Sequence, residues 1–188
     1  MLTAALEFLS EPSRLWIVSD VLSRPCPVSV PAGIYGWYFR NLPLVPTTGC
    51  RLVDGFHLLY VGIAPSLPTS RSTLKKRVRN SHSCGDASKS TLRFSLGCLL
   101  ESTLDIALRT YNRRLHFGAG EPRLTSWMTE NARVAWFPCA SPWEIERAVI
   151  SQLDLPLNLE GNETHVFFGT LQSLRRSARE RARAFTVA

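Results

Sequence analysis

Two short stretches, Ala32-Gly33-Ile34-Tyr35-Gly36-Trp37-Tyr38-Phe39 and Leu58-Leu59-Tyr60-Val61-Gly62-Ile63, decide how this chain is read. Each is an apolar and aromatic run bounded by Gly and Pro, the pattern of a buried β-strand. Each also carries a tyrosine close to a glycine. Glycine lets another backbone or a ligand approach closely, and a phenol offers a hydrogen bond from an apolar wall. The connection between the runs, Asn41 to Gly55, is rich in turn residues such as Pro43, Pro46 and Gly49, so an antiparallel pair is predicted. Val134-Ala135-Trp136-Phe137 reads as a third strand.

Helical periods surround these runs. Residues 1–23 form a weakly amphipathic lead-in carrying Leu6, Leu9, Leu15, Ile17 and Val21, ended by Pro25, Pro27 and Pro31. Ser72 or Thr73 caps a helix with Leu74, Val78 and His82 at four-residue spacing, whose other side is Lys75, Lys76, Arg77 and Arg79. A polar link from Ser83 to Lys89 follows, and Thr91 opens an apolar helix over Leu92 to Leu100. Leu124 to Glu130 is a short helix with Trp127 and Met128 inward. Ser141-Pro142-Trp143-Glu144 has the form of a capping box with Pro at the first helical position. The helix it starts carries Ile145, Ala148, Val149 and Leu153 on one face and stops before Pro156. The last segment, Leu171 to Phe185, is helical by propensity and carries Arg175, Arg176, Arg179, Arg181 and Arg183.

With 188 residues, 45% of them hydrophobic, the chain suits one globular domain with a sizeable core. A formal net charge of +7 favours a polyanionic partner, nucleic acid or an acidic membrane surface. The start of the chain lacks the pattern of a signal peptide, and no apolar run approaches spanning length, so a cytoplasmic protein without a membrane partner is expected. Five scattered cysteines with no C-x-x-C pair indicate neither a disulfide framework nor a zinc cluster. Free thiols fit a reducing compartment.

Several side chains have chemistry to offer. Glu146 shares a side of its helix with Val149, Ile150 and Leu153. A carboxylate turned toward a core needs a positive partner, either a structural arginine or a metal ion. Arg77 lies between Leu74 and Val78 on the basic helix, which is either an ordinary solvated basic face or one whose arginine turns its stem partly inward and its guanidinium toward a groove. His82 is either a satisfied core residue or a proton carrier; Asn158, after Pro156, either caps a turn or joins a site. Phosphodiester chemistry needs a metal held by carboxylate, a cation to balance developing charge and a group for the nucleophile's proton. Cys84 near His82 offers a thiol alternative.

Taken in order, these residues resemble the GIY-YIG nuclease superfamily. Gly33-Ile34-Tyr35 stands as its first motif and Tyr60-Val61-Gly62 as its second; Arg77, Glu146 and Asn158 follow in the family's order, and His82 resembles a histidine of some branches. The resemblance covers about residues 32–160. The 24 residues between Tyr35 and Tyr60 (36 through 59) exceed the family's usual connection. The fold it implies is α/β, a small central three-stranded antiparallel sheet flanked by helices, with helical extensions at both ends. The domain expectation is a lead-in over 1–30, a nuclease domain over 31–160 and a basic extension over 161–188. The implied activity is divalent-metal-dependent endonucleolytic hydrolysis of DNA phosphodiesters, with Glu146 holding Mg²⁺ or Mn²⁺. Arg77 would neutralise phosphate charge, Tyr35 and Tyr60 would position the water, one of them as base, His82 would relay the proton and Asn158 would orient the glutamate's surroundings. Lys75, Lys76, Arg79, Arg175, Arg176 and Arg179 are the expected DNA contacts. A homodimer is expected if both strands are cut. The competing reading is a non-catalytic nucleic-acid-binding protein that keeps the fold.

Overall fold

The computed structural model describes residues 1–112 and 114–184. In chain order the elements are α1 (Leu2–Ser10), β1 (Trp16–Ile17), α2 (Val18–Leu22), β2 (Gly33–Phe39), β3 (Leu52–Val53) and β4 (Phe56–Ala64). A π-helix (Lys76–Ser83), α3 (Thr91–Leu99), α4 (Glu101–Leu104), β5 (Arg109–Tyr111) and β6 (Arg114–His116) follow. The chain continues through α5 (Gly120–Asn131), β7 (Ala132–Pro138), a 3₁₀ turn (Pro142–Glu144), α6 (Glu146–Gln152) and α7 (Phe168–Ala184).

The sheet is antiparallel with strand order β1-β7-β2-β4-β3. The expected three strands form its centre. The expectation of three strands in all is corrected to five, because the two-residue strands β1 and β3 pair onto its edges. A separate hairpin joins β5 and β6. β3 and β4 meet through Asp54-Gly55, both at positive φ (50° and 79°), the tight turn that an Asp-Gly pair favours.

Every residue of β2 is buried, because helices cover both faces of the sheet. Tyr35, Trp37 and Phe39 face the larger core, shared with α2, the π-helix, α3, α5 and α7. Ile34 and Tyr38 face the smaller core under α1 and α6. A strand buried on both faces reads as a continuous apolar run rather than an alternating one.

β4 carries the feature that matters most for the site. Trp37 pairs with Tyr60 but Tyr38 pairs with Leu58, so Leu59 is an extra residue in the ladder. Phe56 and Leu58 before this bulge, and Val61 and Ile63 after it, all face the smaller core, while Leu59, Tyr60 and Ala64 face the larger one. The bulge thus flips the strand's parity and turns Tyr60 onto the same face as Tyr35.

Other expectations shift locally. The helical lead-in is interrupted: α1 ends at Ser10, and Trp16–Ile17 pairs with β7 before α2 begins. Thr91 opens α3 as expected, and Ser90 caps it, its side chain accepting from the Arg93 amide. Ser141 makes no side-chain cap, and the capping-box sequence instead turns through Pro142–Glu144 so that α6 starts at Glu146. The basic helix is wide rather than an ordinary α-helix. Phe185, the expected last helical residue, lies outside the described residues.

Candidate active site

Tyr35 and Tyr60 come from the two central strands, on one face, with ring centroids 6.5 Å apart. Gly62 stands beside Tyr35 in the ladder. A Cβ there would lie 2.5 Å from the Tyr35 hydroxyl, so only glycine lets the phenol cross its neighbour strand. Tyr35 is completely buried, whereas Tyr60 lines the cavity described below. Burial raises the pKa of both phenols, and the Arg77 charge opposes that rise in each. Thr91 and Tyr35 add hydrogen bonding at the Tyr60 hydroxyl.

The π-helix delivers two more residues to the same place. Its bonds run five residues back: the Cys84 amide donates to the Arg79 carbonyl at 3.3 Å, and the Ser83 hydroxyl donates to the Val78 carbonyl at 2.8 Å. Arg77 and His82 lie five apart on it, and the Arg77 charge bears on the ring. Burial works against the Arg77 charge, but Tyr35, Tyr60 and Glu146 more than offset it and hold the guanidinium charged. His82 is completely buried, with its Nε2 2.7 Å from the Tyr35 hydroxyl and its Nδ1 2.7 Å from Ser90 Oγ. Burial, then the Arg77 and Arg93 charges, holds its pKa well below the usual histidine value, so the ring is neutral. Both ring nitrogens are thus engaged, which argues against a Cys84–His82 thiol site. The Cys84 Sγ donates to the Arg79 carbonyl instead.

Asn158 has a positional role. Its Oδ1 accepts from the Val61 amide at 2.9 Å and its Nδ2 donates to the Val61 carbonyl at 2.8 Å. With the Leu157 amide donating to Leu59, the loop after Pro156 completes the outer side of β4 beside Tyr60.

Glu146 opens α6, half-buried, and has no ion-pair partner within 4 Å among the described residues. The structural-arginine alternative for this carboxylate is therefore not realised. Burial and then the nearby Glu160 raise its pKa, while Arg77 lowers it. It faces a cavity of about 510 Å³ lined by Tyr60, Arg147, Asn158, Glu160 and Glu163 among others. Among the described residues no group of three or more His, Cys, Asp or Glu side chains is arranged to hold a metal. Glu146 with Glu160 nearby at an open cavity still fits Mg²⁺ or Mn²⁺, because hard cations of this kind are held by one or two carboxylates and draw their other ligands from water and phosphate.

Beyond Thr91 and Arg175 a second groove of about 640 Å³ adjoins this cavity, lined by Arg77, Lys89, Arg114 and Arg179. Arg175 and Arg179 each lie 4.7 Å over the Phe94 ring. Burial and then Arg179 lower the Arg175 pKa, so an anion entering the groove would relieve both. Of the other expected contacts, Lys75, Lys76 and Arg176 are exposed but line neither cavity. Arg79 turns inward and donates to the Leu22 carbonyl at 2.9 Å. Ser90, Thr91, Glu160, Arg114 and Lys89 are site residues that sequence reasoning missed. Ser90 and Thr91 stand at the start of an apolar helix, where such residues are ordinary, and the other three fall outside any motif.

Among the described residues no helix is long and apolar enough to cross a membrane. The family model of the GIY-YIG catalytic domain matches residues 33–177. Neither the curated proteins nor the solved structures yield a significant match to the chain.

Proposed function

The chain belongs to the GIY-YIG catalytic-domain family, a nuclease superfamily, and on that premise we propose that it is a divalent-metal-dependent endonuclease acting on DNA. One observation carries the reading. The half-buried carboxylate of Glu146, without an ion-pair partner among the described residues, opens into a cavity walled by a phenol and adjoined by a groove of cations.

Glu146 would hold the cation, whose contribution when bound is to polarise the phosphate and stabilise the leaving oxygen. The chain's own groups do the rest. Arg77, charged and reaching toward both phenols, balances negative charge that builds on the phosphate. Tyr60, the phenol that lines the cavity, holds the attacking water and, once its own proton has passed to solvent through the cavity, takes the water's proton as a phenolate at Oη. Tyr35 lies behind it, between Tyr60 and His82, and supports that oxygen from the dry side. Asn158 fixes the strand at Val61 and so the direction of Tyr60. We place the phosphate contacts on Lys89, Arg114, Arg175 and Arg179, since these line the groove. Arg79 is occupied within the fold.

The test is cleavage of supercoiled plasmid and of a branched oligonucleotide with Mg²⁺, Mn²⁺ or EDTA, wild type beside Glu146→Ala. Metal-dependent cutting that falls by at least about a hundredfold in the variant is the expected result. Full activity of Glu146→Ala would remove the assignment. Binding of both DNAs without cutting under any metal would favour the non-catalytic reading.

A further inference from the structure

Behind the two tyrosines runs a buried hydrogen-bonded chain that none of the motif residues explains. The Arg93 amide donates to Ser90 Oγ at 3.0 Å, Ser90 Oγ lies 2.7 Å from His82 Nδ1, and His82 Nε2 lies 2.7 Å from the Tyr35 hydroxyl. Ser90 is 1% exposed, and His82 and Tyr35 are fully buried. Arg93, itself fully buried, also donates through its side chain to the His82 and Ser83 carbonyls and pairs with Glu121, so Ser90 and His82 are both anchored to one residue.

The direction of these bonds follows from counting hydrogens. Ser90 Oγ already accepts from the Arg93 amide. Its own O–H has one acceptor among the described residues, His82 Nδ1. Were Nδ1 protonated instead, Ser90 would accept twice and bury its hydrogen without a partner, which costs free energy. Neutral His82 therefore carries its hydrogen on Nε2 and donates it to the Tyr35 oxygen. The Tyr35 O–H is then turned away from His82, toward the Tyr60 hydroxyl to which it hydrogen-bonds.

We infer that Ser90 is a positioning residue for the nuclease site: its hydroxyl locks His82 as the Nε2–H tautomer and sets the hydrogens of the chain running from Ser90 through His82 and Tyr35 toward Tyr60, so that the Tyr60 oxygen at the cavity receives a hydrogen bond from behind. The inference rests on the nuclease reading for its consequence, but not for its geometry. Outward-pointing donors stabilise negative charge on the phenol that takes the water's proton. The reversed tautomer would make Tyr35 donate inward and withdraw that support. The Ser90 hydroxyl is spent on His82 and the Arg93 amide, so it acts on the reacting atoms only through His82.

The decisive measurement is the tautomer itself, read from the ¹⁵N shifts of the histidine rings at pH 7.5, with His82 identified by the signal lost in His82→Phe. The wild type is expected to show protonated Nε2 and bare Nδ1. Ser90→Gly keeps an acceptable helix cap but removes the hydroxyl; it should show a tautomer mixture and cut DNA at least about tenfold more slowly. The acid limb of its rate profile should also move to higher pH, since Tyr60 then loses its proton less readily. Ser90→Thr keeps the hydroxyl and should retain the tautomer and most of the rate. Protonated Nδ1 in the wild type overturns the inference, and so does a Ser90→Gly enzyme with unchanged rate and profile. If the wild type cuts nothing, the nuclease reading fails, while the ring shifts still decide what Ser90 does.

Discussion

His82 is the residue whose setting most constrains the chemistry around it. It is buried among Tyr35, Trp37 and Tyr60, with Arg77 and Arg93 both bearing on it. Its folded pKa lies well below the usual 6.5, chiefly through burial. The unfolded chain therefore binds a proton below about pH 6.5 that the folded chain refuses. By linkage, the His82 contribution to stability is complete above that pH and is lost as pH falls toward the folded pKa. Glu146 works with the opposite sign: its folded pKa is raised above the usual 4.5, so the folded state binds its proton more readily and gains stability on acidification. Comparing wild type with His82→Phe isolates the first effect. Denaturant unfolding at pH 7.5, 6.5 and 5.5 should show wild-type stability falling with pH more steeply than the variant's. Parallel curves would mean that His82 titrates in the folded protein. The identities of Tyr35, Tyr60, Arg77, His82, Glu146 and Asn158 were legible in the sequence because each sits in or beside a motif. Ser90 and Thr91 were not, because a Ser-Thr pair before an apolar helix is the ordinary sign of a cap. Only the fold brings one of them to His82 and the other to Tyr60.

Two irregular elements aim these residues. The bulge at Leu59 escaped the sequence because β4 is buried on both faces, and a continuous apolar run carries no parity to read. The wide helix escaped it because Leu74, Val78 and His82 fit four-residue spacing as well as they fit the actual turn. In the structure, hydroxyls of Ser81 and Ser83 reach carbonyls five residues back, at 3.1 and 2.8 Å. A single surplus residue is enough to convert a turn of α-helix to this form. Asn80 is exposed and makes the natural candidate. Its removal would leave Arg77 and the histidine four apart, with Leu74, Val78 and the histidine at the α-helical spacings of four and three. The shortened helix should therefore close as an α-helix and keep its inner face. Deleting Asn80 is expected to leave the thermal midpoint within about 4 °C of wild type, equivalent to about 1 kcal/mol in a chain of this size. A fall of several times that would show that the wide turn is held by its surroundings rather than by the extra residue. Cleavage by the deletion variant then reports whether Arg77 and the histidine still reach the two tyrosines.

At the scale of the whole molecule the sheet centre was legible and its edges were not. Trp16–Ile17 and Leu52–Val53 are two residues each, too short to impose a period, and the Asp-Gly turn between β3 and β4 was the one local signal available. The arginine-rich terminal helix was foreseen as an extension, yet α7 packs Leu171, Ala178 and Ala182 into the larger core. Its inner arginines therefore belong to a groove floor as much as to a surface. This placement separates two sources of affinity that net charge alone cannot distinguish. If a strand lies in the groove, each of Arg114 and Arg179 neutralises about one phosphate, and its loss should reduce the slope of log affinity against log salt by about one. If the +7 charge acts only as a diffuse field, removal of any one cation should matter equally. Arg114→Gln, Arg179→Gln and the exposed control Lys75→Gln, each combined with Glu146→Ala to prevent cutting, decide between these. Binding to a fluorescent oligonucleotide from 50 to 300 mM salt is the measurement. The groove reading expects a shallower slope for the two arginine variants and an unchanged one for Lys75→Gln. Equal losses in all three would return the interaction to overall charge and leave the groove without a role in holding DNA.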